Sequence, residues 1–198
     1  KEQGFKTKTF YHPYTSKIFS KSPSRRLENH KNENILVLMD SGSASDIHRL
    51  TNEAFEIFPA LNKLSGTTKL HAKIHATPMG KNLENLDQLY KKIANFKIVK
   101  PGVKFTEIVD NYDIIIICGG STAILECSLL KIPFIVYKPD LKNLTFSILD
   151  NQNIAIANHQ DELLQKIKDF DYSKIDLIYK YVKNDFVDNL PSNLDHLH

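Results

Sequence analysis

The residues best placed to do chemistry are Gly119, Gly120, Ser121, Thr122 and Glu126. The branched apolar run Ile114 to Ile117 stands before them, and good helix formers follow from Ala123 to Lys131. That order predicts a strand buried on both faces, a glycine-opened turn and a helix. A helix start offers unpaired backbone N–H groups and the positive end of the helix dipole. Two glycines let a ligand approach the backbone, and two hydroxyls add donors. Together they make a phosphate cradle at the carboxyl end of a strand. The same residues also suit a tight turn in which Ser121 or Thr122 simply caps the helix.

Glu126 shifts the balance toward a ligand. Its neighbours Ala123, Ile124, Leu125, Cys127, Leu129 and Leu130 make the helix apolar nearly all round, so it should be buried. A carboxylate in such a place is costly without a partner. Glu126 stands four residues after Thr122, on the same helix face one turn along. A ribose whose phosphate sits at the helix start would present its hydroxyls there. The competing role is a structural acceptor for backbone or lysine groups.

Two further stretches carry weaker signals. The apolar run Ile35 to Met39 leads into Asp40-Ser41-Gly42-Ser43-Ala44-Ser45, and a helix is predicted over 46–64. Ser41, Gly42 and Ser43 could cup a diphosphate or an acceptor, although one glycine is not a fingerprint. Lys69 to Ala76 alternates, with Leu70, Ala72, Ile74 and Ala76 on one face and His71, Lys73 and His75 on the other. No Cys or carboxylate stands at ligand spacing from His71 and His75, so no metal site is assigned. A strand ending in Lys73 and His75 at the sheet's carboxyl edge fits contact with an anion. Plain surface placement is the alternative.

The elements that must position these residues alternate. Strands start near Ile35, Lys69, Phe96, Asp113, Pro133 and Ile154. Helices are predicted over 82–93, 105–112 and 144–149, from His159, and over 173–190. This implies an α/β chain with a doubly wound, mostly parallel sheet, and residues 114–117 and 134–137 as central neighbouring strands. The last helix carries one stripe, Ile175, Ile178, Tyr179, Val182 and Phe186, part of which is expected to await cover from another body.

The 198 residues suffice for one or at most two domains. The division read here is a basic linker or incoming segment over 1–32, an α/β domain over 33–190 that carries the phosphate cradle, and a tail over 191–198. Residues 1–32 hold only Glu2 and Glu28 as acids and interleave Phe5, Phe10, Tyr11, Tyr14 and Phe19 with lysines. Such a segment is a solvated connector or a surface that touches anionic lipid or a polyanion. The formal charge of +3 is too small to argue nucleic-acid binding. No apolar run approaches a membrane span and no signal peptide is visible. Cys118 and Cys127 lie in the buried unit as small apolar residues, which suits a reducing cytoplasm.

The order of elements resembles the C-terminal, donor-binding half of a GT-B glycosyltransferase, which is Rossmann-like. The central stretch looks like the region shared by bacterial capsule and lipopolysaccharide transferases, including sialyltransferases and glycerophosphate polymerases. In that group a strand ending in Lys-x-His-Pro precedes a strand followed by Ser-Ser/Thr and a helix carrying an acid. Lys73-Ile74-His75-Ala76 matches the first, with Ala76 where proline is usual and Pro78 two residues later. Gly120-Ser121-Thr122 with Glu126 matches the second.

The resemblance implies that His75, Ser121 and Thr122 hold the phosphates of a nucleotide-sugar donor, and Glu126 its ribose. It implies sugar transfer to a carbohydrate or lipid-linked acceptor in bacterial surface polysaccharide synthesis, without a cofactor. The general base in such enzymes lies on an N-terminal domain or partner, so no catalytic residue is assigned here. A peripheral contact at the inner face of the membrane stays open. Two other classes also stay open: a nucleotide-sugar epimerase of the same architecture, and a non-catalytic subunit that supplies a donor site.

Overall fold

The computed structural model describes residues 33–39, 56–64, 68–74, 91, 93, 95–100, 102–119, 121–137 and 147–184. Its strands are β1 (Asn34–Met39), β2 (Lys69–Ile74), β3 (Phe96–Ile98), β4 (Ile114–Cys118), β5 (Phe134–Tyr137) and β6 (Ala155–Ala157). They form one sheet in the order β3-β2-β1-β4-β5-β6, and every pairing is parallel. The helices are α1 (Phe105–Ile108), α2 (Ala123–Leu130), α3 (Gln160–Lys168) and α4 (Lys174–Lys183). Residues 56–61 are helical too.

The isoleucines of β4 explain why the sheet is double-sided. Ile114 and Ile116 enter one apolar cluster together with Ile35, Val37 and Met39 of β1. Ile115 and Ile117 enter the other, with Leu36, Leu38 and Val136. All four isoleucines are fully buried. Each contributes about 1.5–3 kcal/mol by leaving water. The first face is covered by Ile57, Phe58 and Leu61 and by Leu163 and Ile167 of α3. The second is covered by α1, α2 and α4. The predicted pairing of 114–117 with 134–137 is present, β4 and β5 being parallel neighbours away from the sheet edges.

At the amino end of the sheet, Asp113 ties β4 to β1. Its Oδ2 accepts from the backbone N–H groups of Glu33 at 3.0 Å and Asn34 at 2.9 Å. At the other end of the chain, His159 caps α3 by accepting from the Glu162 N–H, and the Glu162 carboxylate accepts from the Asn158 N–H. This reciprocal pair follows the capping-box logic, with a histidine in place of the usual hydroxyl.

Two expectations are corrected. The helix predicted over 105–112 is α-helical only to Ile108; Val109–Asn111 form a 3-10 turn and Tyr112 is extended. Tyr112, past the helix, has its phenol oxygen 2.7 Å from Nδ1 of His71 on β2. Within the predicted helix 144–149, the described part, Ser147–Asp150, is a 3-10 turn. Of the α4 stripe, Ile175, Ile178 and Val182 are buried, Ile178 and Val182 within the α2 cluster, whereas Tyr179 is half-buried. Among the described residues, the large hydrophobic left in solvent is Leu177, 49% exposed and off the stripe. Phe186, residues 1–32, the tail 191–198 and most of the predicted helix 82–93 lie outside the described residues.

Candidate functional site

The strand order places β1 between β2 and β4, so the winding of the sheet reverses between β1 and β4. Open parallel sheets bind ligands in the crevice beyond the carboxyl ends of the strands at that point. Met39 and Cys118 are the last paired residues there. The two glycine- and serine-containing loops singled out from the sequence therefore leave from adjacent strand ends. Ser41, Gly42, Ser43, His75 and Gly120 themselves lie outside the described residues.

Gly119 turns the chain out of β4. Its φ is 73°, a left-handed conformation in which a side chain is strained. Its N–H donates to the Tyr137 carbonyl at 2.9 Å, which anchors the turn to β5. The Ser121 Oγ accepts from the Ala123 N–H at 3.3 Å, so Ser121 supplies the local cap. Thr122, the residue just before α2, makes no side-chain cap bond and is exposed.

Glu126 lies in the first turn of α2 and is 8% exposed. Its Oε2 is buried and has no hydrogen-bond partner among the described residues. Burial pushes its carboxyl up to about 7, with no cation among the described residues to offset the cost. The structural-acceptor role expected as an alternative requires a donor, and none reaches Oε2 among the described residues. From Thr122 to Glu126 the helix rises roughly 6 Å, comparable with the reach from a nucleotide's phosphate to its ribose hydroxyls. Beside Glu126, burial and the carboxylate push the Cys127 thiol well up. Cys118 and Cys127 are both free and buried.

His71 does not join this site. Its Nδ1 is 2.7 Å from the Tyr112 hydroxyl, and the rings meet edge to face at 5.4 Å. Burial, then Lys97 and Lys69, hold its imidazole below the ordinary value. Reading β2 alone could not find this partner, because Tyr112 comes 41 residues later. Lys73, at the carboxyl end of β2, is half-buried, and burial lowers its ammonium. It pairs in register with Leu38, whose face α2 covers. The Lys73–His75 stretch drew attention in the sequence, and the structure keeps Lys73 at the ligand edge. Among the described residues no group of three or more His, Cys, Asp or Glu could hold a metal ion.

The reversal between β1 and β4, with a glycine turn and a helix start beside it, is that of a doubly wound Rossmann-like sheet, and comparisons with known proteins place it in the GT-B glycosyltransferase class. Solved structures that share it include the wall teichoic acid polymerase TagF, 13% identical with a TM-score of 0.54 over 78% of this chain and 40% of that one. The glycosyltransferase SnogD from Streptomyces nogalater is 12% identical, with a TM-score of 0.53 over 78% and 40%. TarM is 13% identical, with a TM-score of 0.53 over 83% and 34%. Within that class the chain belongs to the lipid-A-disaccharide synthetase family, which matches residues 1–152. The match takes in residues 1–32 and stops before β6. The chain spans 34–40% of the length of the three structures. No curated protein matches it. Among the described residues no helix is long and apolar enough to cross a membrane.

Proposed function

We propose that this chain is the donor-binding half of a nucleotide-sugar-dependent glycosyltransferase acting in bacterial surface polysaccharide synthesis. The observation that carries the reading is the buried, unpartnered Oε2 of Glu126, one turn from a glycine-opened helix start at the carboxyl end of β4. In this reading the donor's phosphates lie at the N–H groups and hydroxyls of Ser121 and Thr122, with His75, Ser41, Gly42 and Ser43 as further candidate contacts. The ribose hydroxyls donate to Glu126. As the glycosidic bond breaks, negative charge grows on the leaving diphosphate, and the fixed dipoles of the α2 start stabilise it. The acceptor, carbohydrate or lipid-linked, and the general base come from outside the described residues, on an N-terminal domain or a partner at the inner face of the membrane.

The test is a thermal-shift screen of the chain against nucleotides and nucleotide sugars, followed by titration of the best ligand. A ligand that binds only the folded state raises its apparent stability. Glu126→Ala should lose at least about tenfold in affinity, one charge-assisted hydrogen bond contributing roughly 1.5–3 kcal/mol. Glu126→Gln keeps the shape and one acceptor and should lose less. Thr122→Ala should weaken binding through the phosphates. Parent-like binding by all three variants puts the nucleotide elsewhere.

A further inference from the structure

The Glu126 carboxyl sits in a place that suits a neutral group better than an anion. We propose that nucleotide binding at α2 is proton-linked: the empty site holds Glu126 protonated, and the arriving ribose hydroxyls take the place of that proton. This rests on the donor-site reading above and adds a regulatory property to it.

The geometry carries the argument. Among the described residues, Oε2 is buried without a hydrogen-bond partner. The strands beneath α2 contribute Ile115, Ile117 and Val136 to its cluster, and α4 contributes Ile178 and Val182. On the sheet face that α2 covers, Lys73 stands at the carboxyl end of β2 in register with Leu38, and Tyr112 has its phenol bonded to His71; the other titratable groups are few. On α2 itself there is the Cys127 thiol, which its burial keeps neutral. On α4, Tyr181 packs half-buried against the same cluster, and Asp176 is engaged with Lys131 at 2.7 Å, at the far end of α2. Asp150, in the turn that brings Ile148 and Leu149 to the cluster, is exposed. No cation among the described residues stands ready to hold a carboxylate at 126. A protonated carboxyl is the cheaper state of the empty site, consistent with a carboxyl pushed up to about 7. When two ribose hydroxyls donate to it, the charged form becomes the better acceptor. The carboxyl O–H bond breaks, the proton passes to the buffer, and both oxygens accept from the sugar.

The experiment is calorimetric titration of the full chain with the diphosphoglucose conjugates of the four ribonucleosides. Their phosphates are diesters and keep a constant charge across the range used. The tightest conjugate is then titrated from pH 6 to pH 8 in buffers of different ionisation heat. The expected result is about a tenfold gain in affinity over that range, with net proton release near neutral pH. Glu126→Gln should bind more weakly and show no such gain. A flat profile for the parent, with Glu126→Gln still weaker, overturns the linkage and leaves the donor reading standing. Equal binding by parent and Glu126→Gln across the range overturns the linkage; parent-like binding by Glu126→Ala and Thr122→Ala as well overturns both, as does failure of every conjugate to bind. A second measurement needs no ligand: the side-chain carboxyl of Glu126, followed by carbon NMR in the free chain, should titrate near 7. A midpoint in the ordinary carboxylate range overturns the proposal.

Discussion

The backbone N–H of Gly119 donates to the carbonyl of Tyr137 at 2.9 Å, one residue past the end of β4. The turn that opens α2 is therefore pinned to β5, and the start of α2 is held where the sheet ends. Gly119 takes a φ of 73° to make that bond. Gly119→Ala should cost about 1–2 kcal/mol, the penalty for a side chain in the left-handed region. Urea unfolding with an unchanged slope would measure it. An unaffected midpoint would mean that the turn relaxes freely and does not fix the helix start.

Glu126 gives a stability prediction with a definite sign. Its folded value is raised from 4.5 to about 7 by burial. The favourable contribution of the neutral form is complete below 4.5 and is lost as the pH rises through about 7. Glu126→Gln, which cannot ionise, should match the parent near pH 4 and exceed it by roughly 3 kcal/mol at pH 8. Chemical denaturation of both proteins at the two pH values checks this. A parent that is as stable as the variant at pH 8 would show that the carboxylate has found a partner.

Asp113 should act as a staple at the opposite end of the sheet. Its Oδ2 takes the N–H groups of Glu33 and Asn34 and the Asn34 side-chain amide at 3.3 Å. Asp113→Ala should cost about 2–4 kcal/mol, because hydrogen bonds to a charged acceptor are lost and the part-buried Asn34 N–H is left without this acceptor. Asp113→Asn keeps one acceptor oxygen and should fall between the two. Both are read from unfolding midpoints, and an unaltered midpoint in Asp113→Ala would remove the staple role.

The His71–Tyr112 pair predicts a loss of stability in mild acid. Burial, then Lys97 and Lys69, lower the His71 value below 6.5. The contribution of the neutral ring is complete above 6.5 and is lost as the pH falls through the folded value. His71→Asn should therefore be less stable than the parent at pH 8, with the gap narrowing by pH 5. Tyr112→Phe should cost about 1 kcal/mol at pH 8. A gap that widens in acid would mean that the ring is held charged.

The sequence made the strand runs legible because a parallel strand covered on both faces needs apolar residues throughout, as in Ile114 to Ile117. The turn and helix after β4 were legible for the same reason, since glycines and helix formers mark them locally. Adjacency was not legible. That β1 lies beside β4 depends on crossover geometry spanning 79 residues between Asn34 and Asp113. Nor could the residues decide which hydroxyl caps α2, because Ser121 and Thr122 are equally able; the backbone angles select Ser121. The α4 stripe announced that something covers it, but a stripe carries no label for its partner, and α2 turned out to fill the role. The isolation of Glu126 was readable as a cost but not as a fact, since any donor distant in sequence could have met it.

The central position of β1 also sets a timetable. Its neighbours are β2, about 35 residues on, and β4, about 79 residues on, so neither long side of β1 can zip from a local hairpin. Each closure must wait for a long loop to be ordered, which slows folding in chains rich in distant contacts. During synthesis, Ile35 to Met39 emerge well before Ile114 to Cys118 can cover them. A nascent chain cut off before Cys118 would leave that apolar strand with an unpaired edge, the kind of surface that chaperones bind and aggregates grow from.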